Sequence, residues 1–437
     1  MTLPPNVSAL ETFVTGLLVL FVFAQAGYFV VNVLAITLLH RRPANRVPDE
    51  SPSTQPVINV LMPVYRERRA VVEETLDDLG GIEYPNDRIE VFLIHEPDDP
   101  IVGEYVDDLE RERRLQGLGF TAVEIDRDSM QWGDATYVLS GTRLPRTKAV
   151  ALNYAFSRLA LASDSVVTVF DADTKVPGDL FRLGVRGLEE YDFVQAKQTV
   201  RNVEDGWLPM LESMGMAGWS HTIYPKTSRG PFQLLGKGYF VTVETLYSLD
   251  GWEDGSITED MALGIAASGA DYTLGVIDRY VQDLCPASFD EWTKQKTRWV
   301  TGPYRTLLSP DLSFVDRLHF ASFTLSNQTI SLLNVVGLPS GALVIAFVLA
   351  GNGPNFWWAL ELLLVFNLAN WAYYTVRTYE ATARAVPLDG WREKIKYHVV
   401  SNPITQVVYA ALWSIPVTLA AVRWLRSEEG TFEVTPK

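Results

Sequence analysis

Apolar residues are concentrated towards the two ends of this 437-residue chain, and no other feature constrains its fold as strongly. Residues 13–39 form a mostly apolar run of about 27 positions, enough for a helix to cross a hydrocarbon core about 30 Å thick. Two more apolar runs, at 322–350 and 356–376, are separated by the turn-forming sequence Gly-Asn-Gly-Pro-Asn. The sequence therefore predicts a membrane helix near the N-terminus and a membrane hairpin after the middle of the chain.

Basic residues beside these runs predict the orientation in the membrane. His40, Arg41 and Arg42 follow the first run, and five Arg or Lys residues lie between 377 and 396, after the hairpin. Lys and Arg are enriched in loops that stay in the cytoplasm, so we expect the N-terminus outside and the intervening globular part inside. The predicted location is the cell membrane, with several spans.

Residues 399–425 form a further apolar segment whose placement the sequence leaves open. The segment is long enough to span, but Pro403 and Pro416 interrupt it, and Arg423 and Arg426 would then face outward. A helix that lies in the membrane interface avoids this conflict. We therefore expect an interfacial helix, with a further span as the alternative.

The middle of the chain alternates short β-branched runs with helical patterns. Such alternation is typical of an α/β fold with a largely parallel sheet. The predicted strands are 57–62, 88–94, 121–125, 165–170, 193–198 and 272–276. The predicted organisation is a transmembrane helix at 1–42, a linker at 43–56, the α/β domain at 57–310, the transmembrane hairpin at 311–378, and an interfacial helix with a tail at 379–437.

Composition excludes several kinds of partner and site. The net charge is −16, from 37 basic and 53 acidic residues, so the basic surface that binds nucleic acid is missing. Only ten basic residues are lysines; such a surface suits a high-salt cytoplasm, although a GC-rich genome gives the same bias. Cys285 is the only cysteine, which excludes an internal disulfide, and the five histidines lack zinc-site spacing.

Asp171-Ala172-Asp173 follows the strand predicted at 165–170 and is the clearest candidate for a binding site. Open α/β sheets bind ligands at the carboxyl ends of their strands, and strand alternation directs both carboxylates to one side. A divalent cation held by one or two such carboxylates would neutralise a diphosphate. A solvated acidic turn is the structural alternative.

Two further motifs follow along the chain. Thr258-Glu259-Asp260 precedes a helical pattern, where a hydroxyl caps the helix and acidic residues favour the first turn, so capping alone would explain these residue types. Gln295, Arg298 and Trp299 lie shortly before the second apolar region. Gln295 and Arg298 share one helix face, although Arg and Trp also anchor interfacial helices at lipid headgroups.

In their order and spacing these motifs resemble the processive branch of the family-2 glycosyltransferases, which includes cellulose, chitin and hyaluronan synthases. The resemblance runs from about residue 59 to 302. It implies a GT-A-like, Rossmann-like fold with a mixed, mostly parallel sheet and helices on both faces, joined here to transmembrane and interfacial helices. It also implies a metal-dependent hexosyltransferase with Mg²⁺ or Mn²⁺ as its cofactor.

The resemblance assigns roles at the reacting end of the site. Asp260, with Glu259 beside it, corresponds to the base that removes a proton from the acceptor hydroxyl. Arg298, on the same face as Gln295, would steady the departing diphosphate. Trp299 would offer a flat platform for a sugar ring of the acceptor.

A second group of residues corresponds to the nucleotide-sugar pocket. Asp173 matches the metal ligand, and Asp171 matches the carboxylate that faces the nucleotide sugar and is the second candidate ligand. Glu96 stands where relatives carry an aspartate that binds the uracil ring, so a UDP-sugar is expected with less support than the rest. The complete set of nucleotide-sugar candidates is Pro63, Tyr65, Glu67, Glu96, Lys148, Asp171 and Asp173.

The C-terminal residues resemble a gating segment, Phe-x-Val-Thr-x-Lys, that closes over the nucleotide in cellulose synthases. The matching residues are Phe432, Val434, Thr435 and Lys437. A frayed tail is the alternative, because six residues carry little information.

The leading hypothesis is an inverting, membrane-embedded glycosyltransferase that moves a sugar from a nucleotide sugar onto a growing polysaccharide or glycan. A membrane lipid is the alternative acceptor, which the small number of predicted spans favours. A non-catalytic membrane scaffold would be expected to have lost Asp173, Asp260 or Arg298, and all three are present. The expected partners are the nucleotide sugar, the acceptor, the lipid bilayer, and membrane or export subunits.

Overall fold

A mixed β-sheet forms the centre of the molecule. The computed structural model describes residues 5–39, 45–126, 130–132, 135–137, 146–227, 231–254, 256–350, 358–383, 385–386, 388 and 390–426. The sheet strands are β1 (Ile58–Val64), β2 (Ile89–His95), β3 (Gly119–Glu124), β6 (Val166–Val169), β7 (Phe193–Val200), β8 (Tyr239–Thr242) and β9 (Leu274–Asp283). Their order is β3-β2-β1-β6-β8-β7-β9. Strands β4 (Met130–Trp132) and β5 (Ala135–Tyr137) pair separately as an antiparallel hairpin.

Strand direction agrees with the predicted mixed, mostly parallel sheet. Strands β3, β2, β1 and β6 are parallel to one another, whereas β8 runs antiparallel to both β6 and β7. β9 is parallel to β7. Each of the six predicted strands is present, five of them within two residues of the expected bounds, whereas β9 extends seven residues beyond its predicted end. β8 was not predicted, because its four residues are too few to produce a recognisable alternation.

Helices cover both faces of the sheet, as expected. They are α1 (Pro5–Leu39), α2 (Arg69–Gly80), α3 (Val106–Leu115), α4 (Lys148–Arg158), α5 (Leu180–Leu188), α6 (Trp207–Thr227), α7 (Val243–Ser248), α8 (Glu259–Gly269), α9 (Phe289–Thr306), α10 (Phe314–Leu349), α11 (Trp358–Ala383), α12 (Trp391–Val400), α13 (Pro403–Leu412) and α14 (Ser414–Leu425). One face buries residues of α2, α3 and α5. The other buries residues of α4, α7 and α8.

The long apolar helices pack beside one another away from the sheet. Val14, Leu18 and Val22 of α1 form a small core with side chains of α11, and Asn367 donates a hydrogen bond to the carbonyl of Val22. Apolar side chains such as Phe13 and Leu20 are 60% or more exposed. An aqueous surface rarely carries so many large apolar groups together.

Two stretches of the described residues are long and apolar enough to cross a membrane, Ala9–Gly27 and Val408–Leu425. The first lies within the predicted N-terminal span. The second lies within the segment for which an interfacial position was expected, and it includes the break between α13 and α14. The predicted hairpin coincides with α10 and α11, where the described residues include a shorter apolar stretch, Glu361–Asn370. The gating-like residues 432–437 lie outside the described residues.

Candidate active site

The sheet brings the residues that follow β1, β2 and β6 to one edge. Val64, at the end of β1, pairs with His95 at the end of β2, and Val169 of β6 pairs with Leu61 of β1. The residues that follow these strands therefore lie side by side. They include Tyr65, Glu96 and the Asp171–Asp173 turn, which occupies the position where open α/β sheets bind ligands.

A loop before the antiparallel strand β8 reaches the same edge. The backbone of Gly238 donates a hydrogen bond to Val169 and adopts φ +66°, a conformation suited to glycine. Buried Gln195 on β7 holds the loop from two sides, since it donates to the carbonyl of Lys237 and accepts from the amide of Leu235, each at 2.8 Å. The loop is thereby fixed beside the acidic turn.

Three carboxylates meet at this point. Asp171, Asp173 and Asp283 each present an oxygen within 4.8 Å of the others. Asp173 and Asp283 are buried, and the amide of Leu284 donates to Asp173 at 3.1 Å. Carboxylate oxygens are the ligands that Mg²⁺ and Mn²⁺ prefer, so the donor set fits a hard divalent cation. Asp283, at the end of β9, adds a third carboxylate to the two expected from the sequence.

Two lysines neutralise part of this acidic cluster. Lys148, at the start of α4, donates to Asp171 at 2.6 Å and to the carbonyl of Gly236 at 2.7 Å. Lys237 lies 2.9 Å from Asp171 and 2.7 Å from Asp283. Burial alone lowers the pKa of Lys237, but the carboxylates of Asp171, Asp283 and Asp173 outweigh it and raise the pKa above its ordinary value.

The acidic pair Glu259–Asp260 also lies near Lys148. The Lys148 ammonium is 4.0 Å from Glu259, and a side chain at Gly236 would stand 3.4 Å from Asp260 and 3.6 Å from Lys148. Burial, and then the charge of Asp260, raises the pKa of Glu259 to about 7. Burial likewise raises the pKa of Asp260. Such shifts bring carboxyl groups towards the range of general bases.

The expected capping role of Thr258 is wrong. Thr258 precedes α8, but its side chain makes no capping hydrogen bond. It packs instead against α9, where a side chain at Gly302 would stand only 2.3 Å from the Thr258 hydroxyl. The glycine therefore allows the loop that carries Glu259 and Asp260 to approach α9 closely.

Helix α9 carries the third motif. Gln295 is buried, whereas Arg298 and Trp299 are partly exposed, and the positive charge of Arg298 acts on Glu259. Lys296, between them, is fully buried, pairs with Glu212 of α6 at 2.6 Å and lies 3.5 Å from the centre of the Trp299 ring. One face of Trp299 is thus covered by an ammonium group.

Glu212 connects α9 to the C-terminal helices. It accepts hydrogen bonds from Trp292 of α9 at 2.7 Å and from Tyr409 of α13 at 2.6 Å. Gly215 of α6 gives Tyr409 room to approach, because a side chain there would stand 2.4 Å from the tyrosine hydroxyl. This buried centre fixes α9 relative to α6 and α13.

Aromatic and charged groups line the far end of the edge. Tyr65 lies between two guanidinium groups, with Arg66 and Arg146 centred 5.2 and 5.9 Å from its ring. Arg146 also pairs with Asp98. Buried Asp99 accepts hydrogen bonds from the amides of Arg66, Ile101 and Val102. It thereby fixes the Tyr65–Arg66 turn, where Arg66 has a φ of 57°.

Comparisons with known proteins agree with this geometry. The model of the glycosyl transferase family group 2 matches residues 166–376, from β6 into α11. Over residues 166–376 the chain therefore carries a family-2 glycosyltransferase domain.

Curated proteins similar to this chain differ in their named products. Glucomannan 4-beta-mannosyltransferase 1 of Oryza sativa subsp. japonica is 25% identical over 64% of the chain and 54% of its own length. Beta-monoglucosyldiacylglycerol synthase of Synechocystis sp. is 26% identical over 63% of the chain and 55% of its own length. The chain therefore spans about half the length of the curated relatives it matches.

A solved structure shows the same fold. It is the mannosyltransferase PcManGT from Pyrobaculum calidifontis, determined in complex with GDP-Man and Mn²⁺. The match has a TM-score of 0.57 at 18% identity and covers 96% of this chain and 100% of the other. The GT-A-like fold expected from the sequence is thus confirmed.

The structure places most of the predicted site residues around one edge of the sheet. Asp171, Asp173 and Lys148 are in contact or adjacent, and Glu259 and Asp260 adjoin them. Pro63, Tyr65, Glu67 and Glu96 lie at the ends of β1 and β2. The positive charge of Arg298 acts on Glu259, whereas Gln295 is buried in α9. The roles of these residues stay predictions.

Sequence reasoning missed Lys237, Asp283, Asp99 and Glu212. Asp283 ends β9, and Asp171 follows β6. This shared position at the carboxyl end of a strand could have identified Asp283 as a site residue. Lys237 lies between two glycines, which marks a sharp turn. Nothing in the local sequence of Glu212, inside a long helix, identifies its partner 84 residues later.

Proposed function

We propose that this family-2 glycosyltransferase moves a sugar from a nucleotide sugar to an acceptor hydroxyl with inversion at the transferred carbon. The supporting observation is the arrangement around Lys148. Its ammonium lies 2.6 Å from Asp171, a member of the cluster with Asp173 and Asp283, and 4.0 Å from Glu259, the neighbour of Asp260. A leaving group held by the first carboxylates and a base among the second would both be within reach of one transferred sugar.

The chain's own groups divide the chemistry between them. Asp260, with its raised pKa, accepts the proton of the acceptor hydroxyl as the new glycosidic bond forms. The bond from the sugar to the diphosphate breaks at the same time, and Lys148 and Arg298 balance the charge on the departing group. Mg²⁺ or Mn²⁺, when bound by Asp171, Asp173 and Asp283, supplies additional neutralisation of the diphosphate.

The nucleotide would lie over the ends of β1 and β2. Tyr65 offers a ring for the base, and Glu96 a buried carboxyl group at the end of β2. The two guanidinium groups beside Tyr65 supply positive charge. GDP-Man is bound by the solved relative, so both uridine and guanosine sugars belong in the test of this chain.

Two acceptor classes fit, a growing polysaccharide and a membrane lipid. The named relatives include both a glucomannan synthase and a glycolipid synthase. A membrane attachment through α1 is supported by its length and by its exposed apolar side chains, with further spans at α10 and α11 and an interfacial position for α13 and α14. A lipid acceptor would reach the site where α9 packs on α14.

The test uses the complete chain in membranes and a panel of radiolabelled UDP- and GDP-sugars. Label in a high-molecular-weight product supports polymer synthesis, and label in an organic extract supports a lipid acceptor. Transfer should stop when a chelator is added and resume with Mg²⁺ or Mn²⁺. Full transfer in excess chelator would contradict the metal requirement, and no transfer from any sugar would contradict the proposed function.

A further inference from the structure

Lys237 occupies the space between two carboxylates of the candidate cation site. Its ammonium lies 2.9 Å from Asp171 Oδ2 and 2.7 Å from Asp283 Oδ2, and only 11% of its side chain is exposed. We propose that Lys237 is an internal counter-ion that competes with the divalent cation, so that the cation binds tightly only together with a nucleoside diphosphate. This inference rests on the proposed function, because it takes that diphosphate as the second ligand.

The charges of the surrounding side chains support the competition. Asp171, Asp173 and Asp283 together with the ammonium groups of Lys148 and Lys237 carry a net charge of −1. A divalent cation alone would change this to +1 and place two positive charges against two ammonium groups a few ångströms away. Such repulsion is strong where water is excluded. A diphosphate carries enough negative charge to remove it.

The fold limits how Lys237 can leave. Gln195 holds the backbone on both sides of the residue, and Gly238 is tied to Val169. The backbone therefore stays in place, and release of the carboxylates requires rotation of the four-carbon stem, which is flexible in lysine. A diphosphate bound beside Lys148 would lie within reach of the swung ammonium and would give it a new partner.

Titration of Mn²⁺ against the purified full chain, with free Mn²⁺ measured by electron paramagnetic resonance, tests the proposal. UDP and GDP serve as the nucleoside diphosphates. For the wild-type chain, we expect the nucleotide with the larger effect, UDP or GDP, to tighten Mn²⁺ binding by about 5- to 150-fold. Lys237→Met should bind Mn²⁺ more tightly without nucleotide, and the enhancement by nucleotide should shrink. Lys237→Arg, which keeps the charge, should resemble the wild type.

Lys197 offers a matched control. Its side chain is also 11% exposed and pairs with Asp278 at 2.5 Å on neighbouring strands, but it is not among the residues that contact the acidic cluster. Lys197→Met should leave Mn²⁺ binding unchanged. Thermal melting of each variant with and without Mn²⁺ provides a second measurement, because a ligand that binds the folded state raises the melting temperature. Mn²⁺ should raise that of Lys237→Met more than that of the wild type.

The outcomes separate this proposal from the proposed function. If nucleotide-free Lys237→Met binds Mn²⁺ no more tightly than the wild type, Lys237 does not compete with the cation. If Lys237→Met does not fold, Lys237→Gln replaces it in the same Mn²⁺ titration. A chain that transfers no sugar would overturn the proposed function, yet the nucleotide-free titration would still decide the role of Lys237.

Discussion

Two buried lysines, 59 positions apart in the sequence, occupy contrasting electrostatic surroundings. Lys237 faces two carboxylates directly and a third nearby, and these raise its pKa against the effect of burial. Among the residues that the structure describes, the carboxylate paired with Lys296 is that of Glu212, and burial lowers the pKa of Lys296 although Glu212 opposes this. Burial acts in the same direction on both, so the number of acidic partners decides the sign of the shift.

The contrast distinguishes ion pairs at the sheet edge, which a ligand can replace, from the structural ion pair between α6 and α9. At the sheet edge acidic groups outnumber basic ones, which leaves a deficit of positive charge that a ligand can fill. Between α6 and α9 the charges are balanced one to one, and the remaining polar contacts of Glu212 come from Trp292 and Tyr409. We therefore expect substitutions at the edge to change reaction and binding, and substitutions at Glu212 to change stability.

The largest expected effect is on the reaction. Asp260→Asn should lower transfer by about 10²- to 10⁴-fold, because the amide cannot accept the acceptor's proton, while nucleotide binding and melting temperature stay near those of the wild type. Rates with radiolabelled nucleotide sugar and a separate nucleotide-binding titration provide the measurement. Asp271→Asn, in the exposed turn that follows the same helix, is the control. A variant with more than half the wild-type rate would show that Asp260 is not the base.

Substitutions in the balanced pair of Glu212 and Lys296 should instead change stability. Glu212→Gln leaves the buried ammonium of Lys296 without its charge partner, and breaking such a pair costs about 3–5 kcal/mol. Denaturation should show this loss, and the double variant Glu212→Gln/Lys296→Met should recover much of it. A single variant as stable as the wild type would mean that water or another group compensates Lys296.

Local sequence was sufficient to predict the parallel half of the sheet and the acidic turn at its edge. Buried strands such as β1 and β6 consist mostly of apolar residues, and a ligand-binding turn is expected at their carboxyl ends. β8 could not be found in this way, since four residues carry little periodicity. Its position was nevertheless decisive, because an antiparallel strand brings the loop with Lys237 to the same edge.

Contacts between residues distant in the sequence also could not be predicted. Thr258 matched the residue type of a helix cap, yet Gly302 of α9 provides the space that its side chain fills. Asp171 and Asp283 meet because β6 and β9 end at one edge, which depends on the order of strands rather than on either strand alone. Pairings of this kind follow from topology, and a single sequence contains no direct record of them.

The close approach of α8 to α9 can be tested with one methyl group. Gly302→Ala would place a carbon 2.3 Å from the Thr258 hydroxyl, so the loop with Glu259 and Asp260 must shift. Overpacking of this kind costs about 1–3 kcal/mol, and we expect transfer to fall by about tenfold or more. Gly80→Ala lies at the end of α2, where an added side-chain carbon would meet no atom within 4 Å. This substitution should change neither stability nor transfer. Unaltered transfer by Gly302→Ala would show that the loop position is not critical.

The smallest effect concerns the pH dependence of stability. In the folded chain the pKa of Glu259 is about 7 against an ordinary value of 4.5, so this group favours folding below pH 4.5 and that contribution is lost as the pH rises through 7. Glu259→Gln removes the titration. Its stability relative to the wild type should therefore increase between pH 5 and pH 8, by about 1–3 kcal/mol.

Urea denaturation at several pH values measures this difference. Glu253→Gln, an exposed glutamate in the preceding loop, should show a difference that is small and independent of pH. A constant offset for Glu259→Gln across the same range would mean that Lys148 and Arg298 keep the carboxyl group charged in the fold. In that case Glu259 would add a negative charge beside Lys148 and draw it away from Asp171, so that Lys237 would face less competition from Lys148 for Asp171.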